Sequence, residues 1–387
     1  MRQSVASSRA ERMGFAPGRW PRARVRSGEG GLRLGSSNFK SRLERIEKKL
    51  SPSLSGNSST RGATPSKGSA WIVTEGSVGM EAQGIAVAEA VGLPYTLKRV
   101  RVSGAMRLLP ARLQIYLPPA RLLRSVTSNE PLAAPWPRLV ISIGRRSVPI
   151  ALAIKRMAGA FGLHIQNPRI PACHFDLIAA PVHDGFTGSN VINTFGAVHS
   201  ITPARLEEGA KTFADAIEPL PRPRVAVLLG GESQAFSFPP EDAGAFGASL
   251  ATLARESGGS LLVTPSRRTL PGSVQALAAA IAGVPQFFWD GCGPNPYHAF
   301  LALADVIVVT EDSVNMVTEA AGTGKPVYVQ RLKGNSQRLG RFHELMHERG
   351  ATRPFEGKLE IWSYAPINDT ELVASAIRRA LALEPTT

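Results

Sequence analysis

The sequence predicts an α/β protein made of two doubly wound, mostly parallel sheets, and three observations predict it. From Ala70 onward, short β-branched runs alternate with helix-length amphipathic segments, the pattern of strands joined by right-handed helical crossovers. A proline-rich break, Glu218-Pro-Leu-Pro-Arg-Pro-Arg224, divides that alternation into two series. The length, 387 residues with 43% apolar and 19% charged side chains, suits two domains that each bury a core.

In the first series, residues 71–74, 95–102, 138–143, 163–166, 177–180 and 191–195 read as strands, with helices over 81–91 and 148–160. In the second, strands are predicted at 225–229, 261–264, 286–289, 306–309 and 327–329, and helices at 241–256, 273–282, 313–321 and 336–348. The clearest unit is the last full βαβ. Val306 to Val309 is a β-branched run, Asp312 and Ser313 stand where a helix cap belongs, and Gly322 and Gly324 end the helix before a strand from Pro326. A final helix over 370–383 has an apolar stripe that suits either half.

Charge is concentrated at one end. Residues 1–67 carry 15 Lys and Arg against 4 Asp and Glu, a net +11, and the remaining residues carry 30 against 26, a net +4. The segment 1–67 is therefore expected to be a disordered basic, Arg/Ser-rich tail, followed by domains over 68–217 and 218–387. Within the tail Phe39, Leu43, Ile46 and Leu50 recur at helical spacing, which suits an anionic membrane surface. A targeting presequence and a start codon placed too early are the other two readings of the same composition. Because the excess charge lies in the tail and no aromatic-rich basic segment accompanies it, no nucleic-acid partner is expected.

The two cysteines, Cys173 and Cys292, lack metal or redox spacing and are expected to be small buried hydrophobes. No Asp-x-Asp pair, no His-Glu-x-x-His and no Gly-x-Ser-x-Gly is present, so neither a metal nor a cofactor is expected. Gly322-Thr-Gly-Lys-Pro326 is not a P-loop, since Glu319 stands where the first glycine belongs. With no long apolar run and no apolar leader, the expected location is the cytoplasm, either free or peripheral at the inner face of a membrane.

Ligands of open α/β sheets sit beyond the carboxyl ends of the strands. Four such loops carry chemistry. Gly230-Gly231 with Ser233 allows close approach to a pyrophosphate, or is a tight strand-to-helix turn. Thr310, Asp312, Ser313 and Asn315 open a helix whose free amides and dipole favour phosphate, with Glu319 two turns in to accept from ribose hydroxyls; the same unit is also an ordinary βαβ. Arg145 and Arg146 are placed to clamp phosphate or an acceptor, or are merely solvated, and Ser147 can cap the helix after them. His183 and Asp184 stand side by side in a loop that also reads as an Asp-Gly turn.

Together Ile143-Gly-Arg-Arg-Ser147, His164-Ile-Gln-Asn-Pro-Arg169, Phe175-Asp-Leu with Val182-His-Asp184, Asn193-Thr-Phe-Gly-Ala-Val-His199, Gly230-Gly-Glu-Ser and Thr310-Glu-Asp-Ser-Val-Asn-Met-Val-Thr-Glu319 resemble the mitochondrial-fission ELM (elongated-mitochondria) family, over about residues 70 to 385. The second half is also similar to MurG-type glycosyltransferases. The resemblance implies a GT-B-like fold of two Rossmann-like doubly wound domains facing across a cleft, the first on the acceptor side and the second on the nucleotide side. It implies a nucleoside-diphosphate sugar, UDP-type, as ligand, with Gly230, Gly231 and Ser233 at the pyrophosphate, Asp312, Ser313 and Asn315 at the phosphate end, Glu319 at the ribose, and Thr310 in the same nucleotide-binding set. It further implies either inverting, metal-independent glycosyl transfer or a non-catalytic adaptor that recruits dynamin-like, membrane-remodelling protein partners. Where the transferases carry a histidine in the first glycine-rich loop this chain has Gly79-Met80. A thioether takes no proton, so a catalytic base is expected among Glu75, Glu81 and His183.

Overall fold

A computed structural model describes residues 68–383. The basic tail, with its Phe39/Leu43/Ile46/Leu50 face, lies outside the described residues. The first sheet is built from β1 (Ala70–Thr74), β2 (Tyr95–Val102), β3 (Val126–Ser128), β4 (Leu139–Ile143), β5 (Phe161–Ile165), β6 (Leu177–Pro181) and β7 (Val191–Thr194). Its helices are α1 (Val78–Val91), the short α2 (Ala111–Gln114) and α3 (Pro119–Leu123), and α4 (Val148–Ala158). The strand order is β3-β2-β1-β4-β5-β6-β7, parallel throughout except for the antiparallel pair β2/β3. β1, β4 and β6 are buried along their whole length, as strands covered on both faces must be.

The second lobe follows α5 (Pro203–Ile217). It contains β8 (Arg224–Leu229), β9 (Phe236–Ser237), α6 (Pro240–Ser257), β10 (Ser260–Pro265), α7 (Pro271–Ile281), β11 (Gln286–Phe288) and α8 (Tyr297–Leu303). After these come β12 (Val306–Thr310), α9 (Val314–Ala321), β13 (Val327–Gln330), β14 (Lys333–Gly334), α10 (Gln337–Glu348), β15 (Thr352–Pro354) and α11 (Thr370–Ala380). Its main sheet is wholly parallel, in the order β11-β10-β8-β12-β13-β15. Strand order reverses between β1 and β4 in one sheet and between β8 and β12 in the other. Those two points are where a doubly wound sheet opens a crevice.

Two helices sit on the lobe opposite to the one their sequence position suggests. α5 falls within the expected 68–217 domain, yet Leu206, Phe213 and Ile217 pack with Ala299 and Phe300 in the second core. α11 falls within 218–387, yet Val373, Ala374 and Ile377 pack with Ile72, Val87 and Val91 in the first. The proline-rich run at 218–224 therefore ends a helix and does not separate the lobes. An apolar stripe docks where complementary surface is open, whatever its place in the chain.

The crossings are bonded. Gly196 lies against Thr318, whose Oγ1 accepts from the Ala197 amide at 3.3 Å, and the Phe195 amide donates to Asp369 at 2.7 Å. His199 Nε2 lies 2.8 Å from the Ile367 carbonyl, and its backbone amide donates to Thr370 Oγ1 at 2.8 Å. The Asn193 to His199 motif is thus part of the joint between the lobes.

Two further expectations are corrected. Cys173 and Cys292 are exposed, because each falls in a surface turn outside both sheets. Ser147 does not cap α4: its buried Oγ turns back to the carbonyls of Ile143 and Gly144 at 2.9 and 2.8 Å.

Candidate functional site

The crevice of the second sheet is formed by the loops after β8 and β12. The Gly230 amide donates to Thr310 Oγ1 at 2.7 Å and the Gly231 amide to Asp312 Oδ2 at 3.2 Å, while Thr310 Oγ1 donates to Asp312 Oδ1 at 2.7 Å. Arg268 Nη2 stands 2.6 Å from Asp312 Oδ2. A Cβ at Gly230 would lie 2.0 Å from Asp312 Oδ1, and one at Gly231, where φ is +155°, would lie 2.2 Å from the Arg268 carbonyl oxygen. Glycine is required at both places by close approach.

The amides that follow are also spent. Glu232 donates to the Arg268 carbonyl and Ser233 to that of Phe236, both at 2.9 Å, and Ser233 Oγ accepts from the amides of Ala235 and Phe236. In this conformation no amide from 230 to 233 is open to a pyrophosphate. The position of an anion is filled by the protein's own carboxylate, Asp312, whose side chain is fully buried. Ser233 belongs to the turn into β9 and stands apart from the phosphate-end residues.

The start of α9 is more open. Ser313 caps the helix, accepting from the Met316 amide at 3.3 Å as the spacing predicts, and the amides of Val314 and Asn315 have no acceptor inside the helix. Asn315 reaches the other lobe: its Nδ2 donates to the Gly79 carbonyl and its Oδ1 accepts from Gln83 Nε2, both at 3.1 Å. From α10, Arg338 Nε donates to Asp184 Oδ1 at 2.6 Å. These bonds join the carboxyl-end loops of one sheet to those of the other, so both crevices open on one cleft. Between them lies a cavity of about 220 Å³ whose lining includes Gln83, Gln166, Asp312, Ser313, Asn315 and Arg338. Gln166 holds φ +81°, a conformation that favours glycine and that side chains adopt at a cost of about 1–3 kcal/mol.

Glu319 is half-buried and does not line that cavity. The Tyr297 hydroxyl of α8 donates to its Oε2 at 2.5 Å, and among the described residues Oε1 has no hydrogen-bond partner. Burial raises the carboxyl pKa to about 7, and the Tyr297 hydrogen bond opposes the rise. Burial first, and then the contact with Glu319, raise the Tyr297 phenol well above its ordinary value.

The three candidate bases are each accounted for. Glu81 is held by Arg99 through two bonds, 2.7 and 3.0 Å, which fix both carboxylate oxygens. Glu75 Oε1 accepts from the Arg146 amide at 3.1 Å, and its Oε2 is 3.5 Å from Arg146 Nη1, so this pair links the loops after β1 and β4. Arg145 is exposed beside it, and neither arginine lines the cavity. His183 is buried against Phe342 with neither ring nitrogen bonded, and its pKa falls to about 4, chiefly by burial. In this conformation Glu81 is thus ion-paired to Arg99, and His183 is packed against Phe342.

Thr310, Asp312, Gly230 and Gly231 are thus brought together, Asp312, Ser313 and Asn315 line the cavity, and Glu319, Ser233, Arg145 and Arg146 are not among its lining residues. Arg268, Arg338, Tyr297, Gln83 and Gln166 were missed. Gln166 stands within the His164–Arg169 motif but carries no chemical signal of its own, and the other four matter through partners remote in sequence, which no local pattern marks.

Two Rossmann-like sheets whose carboxyl ends meet across one cleft define a GT-B-like, glycosyltransferase-type architecture. A sequence profile described as Mitochondrial fission ELM1 matches residues 78–381, and the chain belongs to that family. It is 33% identical over 282 residues to the "Mitochondrial fission protein ELM1" of Arabidopsis thaliana, a match spanning 64% of this chain and 64% of that relative. It is 27% identical over 359 residues to an uncharacterised protein of Rickettsia prowazekii, covering 81% of this chain and 98% of the relative. Solved structures with a similar arrangement include the UDP-GlcNAc 2-epimerase of Neisseria meningitidis bound to UDP-GlcNAc, at 12% identity, 80% and 99% coverage and a TM-score of 0.47. MurG of Acinetobacter baumannii is similar at 14% identity, 82% and 96% coverage and a TM-score of 0.43. Among the described residues no helix is long and apolar enough to cross a membrane.

Proposed function

We propose that the protein binds a nucleoside diphosphate, or the diphosphate of a UDP-type nucleotide sugar, in the cleft between the lobes. The observation that carries this reading is the start of α9, where unpaired amides, the positive helix end and the Arg338 guanidinium face one cavity. Glu319, with Oε1 unpartnered, is suited to a ribose hydroxyl. The cavity, at about 220 Å³, is smaller than the roughly 300 Å³ at which ligand pockets begin. Binding a whole nucleotide sugar therefore requires the lobes to part, with loss of the Asn315 and Arg338 bridges. If transfer occurs, it is inverting and metal-independent, and helix dipole and guanidinium stabilise the leaving diphosphate.

A second reading is a non-catalytic adaptor that keeps the shape and recruits dynamin-like partners. It is favoured by the state of the candidate bases, since Glu75 and Glu81 are ion-paired and His183 is sealed. For either reading, the net charge of residues 1–67 supports peripheral attachment at the inner face of an anionic membrane.

Isothermal titration with UDP, GDP, CMP and their sugars tests the binding reading. Wild type should bind one class, and Arg338→Ala should weaken it roughly tenfold, the cost of one charge-assisted bond. No binding of any of them leaves the adaptor reading alone.

A further inference from the structure

Between β2 and β3 the chain makes an excursion through the helical turn Gly104–Leu108, α2 and α3 that takes no part in the cleft. It displays large apolar side chains to solvent: Leu108 is 83% exposed, Tyr116 72% and Leu113 46%. At such exposure a side chain projects outward and does not line a groove. Met157, at the end of α4 against which α2 and α3 pack, adds a fourth exposed apolar group.

The excursion is anchored. Ile115 and Leu122 are buried beneath it, Gln114 Nε2 donates to the carbonyls of Met106 and Leu109 at 3.2 and 2.8 Å, and Arg156 Nη1 donates to that of Ile115 at 2.6 Å. The exposed groups therefore stand on a fixed platform.

Its charge has one sign. Residues 103–126 contain Arg107, Arg112, Arg121 and Arg124 and no Asp or Glu, and all four arginines are exposed. None forms an ion pair among the described residues. A protein interface concentrates apolar groups at a centre depleted of charge. Here apolar tips and guanidinium groups alternate along the chain, which matches the layer where acyl chains meet headgroup phosphates, with the long arginine stems reaching back to the phosphates.

We propose that this platform docks on an anionic lipid surface, with Leu108, Leu113 and Tyr116 entering the headgroup–acyl boundary and Arg107, Arg112, Arg121 and Arg124 meeting lipid phosphates. The attachment is distinct from that of the basic tail and places the first lobe directly on the bilayer.

The full chain is sedimented with phosphatidylcholine vesicles, with and without phosphatidylglycerol, and compared with two variants, Leu108→Ser/Tyr116→Ser and Arg107→Gln/Arg112→Gln/Arg121→Gln/Arg124→Gln. Each variant should partition roughly tenfold less onto the anionic vesicles. Wild-type binding should also weaken with added salt, since exposed charges are screened over about 8 Å at physiological ionic strength. Because every protein compared keeps the tail, the tail cannot produce the difference, and thermal melts confirm that the variants stay folded. In a third variant, Tyr116→Trp, emission should be quenched by brominated acyl chains. Failure of wild type to sediment with anionic vesicles, sedimentation of either variant equal to that of wild type, or unquenched Tyr116→Trp emission would each overturn the proposal.

Discussion

Arg268 Nη2 lies 2.6 Å from Asp312 Oδ2, and the carboxylate it meets has no exposed surface. That carboxylate also accepts from the Gly231 amide and from Thr310. The crevice of the second sheet is therefore held by an internal anion, where a glycine-rich loop invites an external one. Any diphosphate must approach beside this charge or displace it.

Asp312→Asn keeps the shape and removes the charge. Stability should fall by about 1–3 kcal/mol, the range for weakening a buried charged hydrogen-bond centre, read by urea unfolding. Affinity for a nucleoside diphosphate should rise, because the like charge at the crevice is gone. Unchanged stability would show that Asp312 does not anchor the loop.

Glu319 gives a pH dependence of definite sign. Its folded pKa, about 7, lies above the ordinary 4.5, so the charged form is disfavoured in the fold. The associated stability is fully present below pH 4.5 and is lost as pH rises through about 7. Glu319→Gln should flatten unfolding stability across that window, and Tyr297→Phe should move the window to higher pH. At neutral pH Glu319→Gln should also weaken nucleotide binding by roughly tenfold. Titrations equal for wild type and variant would remove Glu319 from the site.

His183 and His343 act in the opposite direction. Both have pKa values lowered to about 4, chiefly by burial. Around His183 stand Asp184, which opposes the shift, and Arg338 and His343, which add to it. The folded values lie below the ordinary 6.5, so the unfolded chain binds more protons and stability falls as pH drops from 6.5 toward 4. His183→Leu should make stability less dependent on pH there, measured by chemical unfolding at a series of pH values.

Gly196→Ala tests the joint between the lobes. Its Cβ would lie 2.2 Å from Thr318 Oγ1, the atom that accepts from the Ala197 amide. Overpacking of this kind costs about 1–3 kcal/mol, which thermal unfolding would show as a lower Tm. The double variant Gly196→Ala/Thr318→Ala should recover part of the loss, and strict additivity would mean that the two residues do not interact.

The alternation of strands and helices, the Ser313 cap and the glycines at 230 and 231 were legible in the sequence. Each depends on residues close together in the chain, where period, capping and backbone freedom leave a local signature. The sequence alone also determined the net +11 of residues 1–67. Only the tertiary structure decided that α5 and α11 exchange lobes, since an apolar stripe records that it must be covered and not by what. Only it decided that Glu81 is spent on Arg99, Glu75 on Arg146 and the 230–231 amides on Thr310 and Asp312. Those pairings follow from sheet order, which sets side chains remote in sequence within hydrogen-bond distance. The same order seals His183 under Phe342 and leaves Leu108 and Tyr116 in solvent, a difference between apolar settings that hydropathy along the chain does not carry.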